Sequence, residues 1–141
     1  MTAAFARPLP FGATLIGAGR TRFRLWAPAQ RAMTIDVEDL GPVPMTRSDD
    51  GWFTGETNSG AGTRYRYRLD DGRLVPDPAS RAQMNDVHGP SLVVDPTAYR
   101  WRNAEWRGRP WHETVIYELH VGVLGGFRGV ERELPRLAAL G

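Results

Sequence analysis

The residues best suited to chemistry in this chain are carboxylates and histidines, and their settings differ. Two acidic pairs, Asp49-Asp50 and Asp70-Asp71, each run directly into a glycine. Neighbouring carboxylates can divide acid and base work, one protonated to donate and one ionised to attack. An Asp-Gly step is also a strong hairpin signal, and here the turn reading outweighs the catalytic one. Glu118 and His120 stand two residues apart in the run 115–121, Val-Ile-Tyr-Glu-Leu-His-Val. That spacing puts both on one face of a strand. His120 lies nearer the C-terminal end, which favours contact with a substrate over proton transfer; a structural, hydrogen-bonded histidine is the alternative. His88, followed by Gly89-Pro90, reads as a turn residue. His88, His112 and His120 lack the spacing of metal ligands, so no metal and no cofactor is expected. Asp77 and Arg81 are placed to pair across a proline-rich turn.

Composition removes several function classes. The 141 residues suffice for one ordinary domain, and 41% apolar with 24% charged residues is globular composition. The net charge is +2, and every basic residue is arginine. These arginines scatter among Asp and Glu instead of forming one run or stripe, which argues against nucleic-acid binding. With no cysteine, disulfides, thiolate metal sites and cysteine nucleophiles are excluded, and a reducing compartment, the cytoplasm, is expected. No apolar run reaches signal-peptide length near the start, or the roughly 20 residues a membrane helix needs.

The elements that must position these residues follow from periodicity. From 20 to 94 the chain reads as short strands divided by turns. In 21–26, Phe23 and Leu25 face one way and Arg22, Arg24 and Trp26 the other. Met33, Ile35 and Val37 alternate with polar residues, 52–56 is an aromatic strand, and 92–94 a last short one. In 64–69, Tyr65, Tyr67 and Leu69 share a face opposite three arginines. That tyrosine stripe reads as core, with a sugar-stacking platform as its alternative. Such a pattern, with no helical period between the turns, predicts a two-sheet antiparallel sandwich of immunoglobulin-like type. Residues 76–90, with Pro76, Pro78 and Pro90, read as an ordered connection over a surface. Trp101, Trp106 and Trp111, five residues apart, suit neither a strand nor a helix face and read as plugs in an interdomain seam. Residues 115–121 are apolar on both faces, as in a parallel sheet or barrel. Gly125-Gly126 then breaks the chain before a helical period at Val130, Leu134, Leu137 and Ala138. Pro135 predicts a late start or a kink in that helix.

Several blocks carry a family resemblance. Phe11-Gly12-Ala13 and Thr21-Arg22-Phe23-Arg24-Leu25-Trp26-Ala27-Pro28 resemble the start of the N-terminal sandwich domain of glycoside hydrolase family 13. Within that family, three blocks are similar to the malto-oligosyltrehalose trehalohydrolases. They are Asp50-Gly51-Trp52-Phe53 with Gly62-Thr63-Arg64-Tyr65-Arg66-Tyr67; Val75-Pro76-Asp77-Pro78-Ala79-Ser80-Arg81 with Asp86-Val87-His88-Gly89-Pro90-Ser91; and Val115-Ile116-Tyr117-Glu118-Leu119-His120-Val121-Gly122. The second is the most specific, because branching enzymes usually continue differently after Asp-Pro. After Gly122 the family usually has a longer loop with Thr and Phe, where this chain has Val123-Leu124-Gly125-Gly126-Phe127.

The resemblance implies a mainly β fold. An immunoglobulin-like (E-set) β-sandwich over 1–95 would lead through a tryptophan-rich linker, 96–112, into the first strand and helix of a truncated TIM barrel, 113–141. It implies hydrolysis of the α-1,4 bond next to the trehalose end of maltooligosyl trehalose, in trehalose biosynthesis. The family's nucleophilic Asp, acid/base Glu and third Asp come from later barrel strands, and none of their motifs occurs in this sequence. No catalytic residue is therefore assigned, and this chain alone is expected to be inactive. His120, Tyr117 and Trp52 are the candidate substrate contacts, and Asp77, Arg81, Trp101, Trp106 and Trp111 the candidate seam. The expected partner is an α-glucan or maltooligosyl trehalose, with no nucleic acid and no membrane. Two alternatives remain open at this point: the N-terminal part of a glycogen branching enzyme, or a non-catalytic α-glucan-binding or interaction module.

Overall fold

A computed structural model describes residues 10–103 and 105–140. The protein is mainly β, with two antiparallel sheets and one α-helix among the described residues. It divides into two compact units, Met1–Trp101 and Arg102–Gly141.

The first unit holds both sheets. One runs β1 (Gly12–Gly17), β2 (Arg20–Trp26), β6 (Trp52–Thr57), β5 (Thr46–Arg47). The other runs β4 (Gly41–Pro44), β3 (Thr34–Val37), β7 (Arg64–Arg68), β8 (Leu74–Val75), with β9 (Ser91–Leu92) also on β7. The alternation in the sequence sets which side chains turn inward. Phe23 from β2 and Phe53 from β6 meet Ile35, Val37, Tyr65 and Tyr67 from β3 and β7, all at most 2% exposed. The rings of Phe23 and Tyr65 meet edge to face across the two sheets, their centres 4.8 Å apart. Gly55 lets Ile35 pack close to β6: a Cβ there would lie 2.7 Å from Ile35 Cδ1, so that side chain would have to shift. The tyrosine stripe is therefore core, as its period predicts.

Polar residues line the outer faces in cross-strand pairs. Arg20 and Arg22 both reach Glu56, at 2.7 and 2.9 Å, and Arg64 reaches Glu38 at 2.8 Å. Arg68 pairs with Asp36. These partly exposed pairs favour the observed register more than they add stability. Both acidic pairs of the sequence are turns. In the first, Ser48 Oγ donates to Asp50 Oδ1 at 2.6 Å and Gly51, at φ +85°, closes the hairpin. In the second, Arg73 binds Asp71 through its backbone N–H and its guanidinium.

Four strands are additional to those read from the sequence: β1, β4, β5 and β8. The sequence Gly-Pro-Val-Pro of β4 succeeds as a strand because it lies at a sheet edge, where a residue without an N–H costs no ladder bond.

The second unit contains a 3₁₀ turn, Trp111–Glu113, and helix α1, Phe127–Ala138. The helix begins at Phe127, ahead of the predicted period, so it does not start late, and it continues through Pro135. Pro135 has no N–H, so the helix forgoes one bond at Glu131. The expected strand over 115–121 is not formed: residues 114–120 have no regular secondary structure. A strand with two apolar faces exists only when hydrogen-bonded neighbours and covering helices surround it. None of the described strands pairs with this segment, and Val115, Ile116 and Tyr117 are all exposed.

Candidate functional site

Two polar-aromatic constellations stand out in the first unit. The first is inside. Asp77, only 3% exposed, follows Pro76 at the start of the connection beyond β8. Its Oδ2 accepts from Tyr65 Oη at 2.7 Å and from Tyr67 Oη at 3.3 Å. Its Oδ1 accepts from the Ala79 N–H at 2.7 Å, and its own N–H donates to Ser91 Oγ at 2.9 Å. Burial, then the Asp77 charge, push both phenols well above the usual tyrosine range. They therefore stay protonated and act as donors. This arrangement fastens the connection to β7 and β9; it offers no open face to a substrate.

Arg81 donates to the Ala13 carbonyl, tying the same connection to β1. The Asp77–Arg81 ion pair expected from the sequence is not formed, because each group is engaged elsewhere.

The second constellation is outside. Trp26 and Trp52 are direct partners in the β2–β6 ladder and share the outer face of that sheet. Trp26 is 59% exposed, and its indole Nε1 donates to the Asp50 carbonyl at 3.1 Å. The Arg24 guanidinium covers one face of Trp52, 4.6 Å from the ring centre. Phe11, Pro78 and Ala79 complete a shallow groove beside them. Trp52 was readable from the sequence as a candidate contact; Trp26 was not. Its signal was its position on the face of β2 opposite Phe23, which becomes informative only once Trp52 is known to lie beside it.

His120 and Tyr117 lie in the second unit on the irregular segment, and both are exposed. His120 Nδ1 accepts from the Val123 N–H at 3.2 Å, so the ring caps a tight turn in which that N–H also reaches the His120 carbonyl. Glu118 is exposed as well. Trp101, Trp106 and Trp111 are each at least 70% exposed, and Tyr99 packs edge to face on Trp101. No group of three or more His, Cys, Asp or Glu suited to a metal ion occurs among the described residues. No helix among them is long and apolar enough to cross a membrane.

No protein-family model matches the chain. Individual relatives do. It is 41% identical over 137 residues to the malto-oligosyltrehalose trehalohydrolase of Saccharolobus solfataricus, covering 94% of this chain and 24% of that protein. Trehalohydrolases from other organisms match at 35–39% identity. The 1,4-alpha-glucan branching enzyme of Ralstonia nicotianae matches more weakly, at 30% identity over 85% of this chain and 19% of that protein. Among solved structures, one from Salmonella typhimurium assigned as an alpha amylase superposes with a TM-score of 0.79 at 46% identity. It covers 94% of this chain and 23% of that one. The chain thus spans about a quarter of the length of the relatives it matches. The branching-enzyme alternative is not favoured. The resemblance carried by the three sequence blocks extends over most of the molecule: this chain is a relative of the malto-oligosyltrehalose trehalohydrolases.

Proposed function

We propose that the chain is the N-terminal portion of a malto-oligosyltrehalose trehalohydrolase, which releases trehalose by hydrolysing the α-1,4 bond next to the trehalose end of maltooligosyl trehalose. The observation that carries this reading is the 41% identity over 94% of the chain. In this reading the two sheets are an immunoglobulin-like (E-set) sandwich over 1–95, and 96–112 is the linker. Residues 113–141 are the first strand and helix of a (β/α)8 barrel. Val115, Ile116, Tyr117 and Phe127, exposed here, become covered when neighbouring barrel strands and helices pack around them. Trp101, Trp106 and Trp111, with Asp77 and Arg81, remain in this reading the candidate seam residues.

The chemistry belongs to carboxylates outside this sequence. A retaining hydrolysis needs one to attack the anomeric carbon and a second, about 5–5.5 Å away, to protonate the leaving oxygen. The contribution of this chain in this reading is to position sugar: His120, nearest the C-terminal end of the expected first strand, is the contact best suited to the end of the barrel where such enzymes build their sites, with Tyr117 as a second candidate contact. The test is direct. Full-length protein incubated with maltotriosyl trehalose should release trehalose, and the 141-residue chain alone should release none. Turnover by the short chain, or its absence from the full-length protein, would overturn the reading.

A further inference from the structure

We infer that His120 contacts sugar through its Nε2–H, as a donor of one fixed tautomer whose ring is oriented by its own loop. The inference rests on the hydrolase reading above, in which His120 is a substrate contact. It adds the atom, the proton and the means of positioning.

The tautomer follows from one bond. His120 Nδ1 lies 3.2 Å from the backbone nitrogen of Val123. A backbone N–H can only donate, so Nδ1 is the unprotonated nitrogen and the proton of the neutral ring sits on Nε2. The side chain is exposed, and among the described residues no hydrogen bond engages Nε2. The ring thus spends its acceptor on the protein and keeps its donor.

The positioning follows from the loop. The Val123 N–H also reaches the His120 carbonyl at 3.1 Å, the Gly125 N–H reaches the Gly122 carbonyl at 3.1 Å, and the Gly126 N–H reaches the Val121 carbonyl at 3.0 Å. Two glycines make room for this turn. A Cβ on Gly122 would lie 3.1 Å from His120 Cε1 and 3.3 Å from its Nδ1, and one on Gly129 would lie 1.6 Å from the Leu124 carbonyl oxygen. None of these bonds draws on residues 115–119, so the loop is built although the segment before it has no regular structure. A donor set before its ligand arrives loses little freedom on binding.

The chemistry of the ligand follows from the donor. A neutral N–H seeks an uncharged oxygen acceptor, which a sugar hydroxyl supplies. With Nδ1 occupied, no nitrogen is left to take a proton, so the ring orients sugar and does not serve as a base.

The experiment divides the two nitrogens. In His120→Asn the side-chain carbonyl stands near the place of Nδ1, and the amide falls short of Nε2. In His120→Gln the amide nitrogen reaches the place of Nε2, and the turn acceptor is lost. Full-length protein is assayed for trehalose release from maltotriosyl trehalose. His120→Gln should keep kcat/KM within about threefold of wild type and His120→Asn should lose about ten- to a hundredfold, the range for a partner left unsatisfied. Thermal midpoints should be nearly equal. A ring that only builds the turn inverts the order, so His120→Asn as active as His120→Gln overturns the inference, as does a His120→Asn protein whose midpoint falls with its activity. Full-length protein labelled with ¹⁵N-histidine gives a second readout, from the signals that vanish in His120→Gln. A proton on Nδ1 overturns the tautomer. Trehalose added together with maltotriose should move the Nε2 signal, and a signal that stays in place overturns the contact. Absence of trehalose release by the wild type removes the hydrolase reading, while the nitrogen spectrum still decides the tautomer on its own.

Discussion

The two units of this chain use apolar residues in opposite ways. In the sheet-bearing unit, Phe23, Phe53, Ile35 and Tyr67 are fully buried. In the unit from Arg102 onward, Trp106, Trp111, Val115, Ile116, Val123 and Phe127 are all at least 70% exposed. Hydrophobicity is not what separates them. Two sheets present two apolar faces that close on each other, whereas a helix and one extended segment leave each other's outer faces open. The contrast shows that self-sufficiency depends on pairing of layers, and that a segment rich in Trp, Val and Ile can still lack a core.

That contrast can be broken or sharpened by measurement. The largest expected effect is in amide hydrogen exchange of the 141-residue chain. Amides of β2, β6 and β7 should be protected roughly a thousandfold or more, the level set by global unfolding of a domain of about 5 kcal/mol. Those at 115–121 should exchange within about tenfold of an unstructured peptide. Strong protection throughout 115–140 in a monomer would erase the distinction. Next in size is a matched pair of truncations followed by urea unfolding. Phe53→Ala should cost about 3–5 kcal/mol, and Phe127→Ala less than about 0.5 kcal/mol. Similar losses would mean that the second unit has a core after all.

Smaller effects probe the polar centre of the first unit. Tyr65→Phe takes the shorter of two phenol bonds from a buried carboxylate and should cost about 1.5–3 kcal/mol; Tyr67→Phe, at the longer distance, should cost less. Thermal unfolding of the two variants checks the order. Alkaline titration reads the same pair of hydroxyls without a substitution. Both phenols are raised in the folded state, first by burial and then by Asp77. Their stabilisation is thus complete below the unfolded tyrosine value near pH 10 and is lost as pH rises above it. Each should remove about 1.4 kcal/mol per pH unit there. Urea midpoints that stay flat between pH 10 and 11.5 would contradict the burial of these hydroxyls.

Much of the first unit was legible because its central strands alternate. β2, β3, β6 and β7 each show a period of two that matches their buried faces. The missed strands have physical reasons for their silence. β1 is bounded by Gly12 and Gly17 and carries a register shift between Leu15 and Gly17, which spoils the period. β4 resembles a turn in composition and is a strand only by virtue of its edge. β5 and β8, two residues each, exist because a neighbour offers them a ladder. The reverse error occurred at 115–121, where the pattern is strand-like and the neighbours are lacking. For the candidate sites, a tyrosine stripe predicts burial but not which acid its hydroxyls will meet. Asp77 lies 12 residues beyond Tyr65, past a turn and a short strand, so no local pattern joins them.

The Asp77 clamp also bears on the order in which the molecule is assembled. A carboxylate withdrawn from water before its donors are in place carries a desolvation cost with nothing to offset it. Tyr65 and Tyr67 become fixed only when β7 has paired and the sheets have closed. The connection through Asp77 should therefore dock after the main folding barrier is crossed. A change such as Asp77→Asn would then leave the refolding rate nearly untouched and appear almost wholly as faster unfolding. The residue that fastens the connection would set how long the folded molecule lasts, with little say in how quickly it forms.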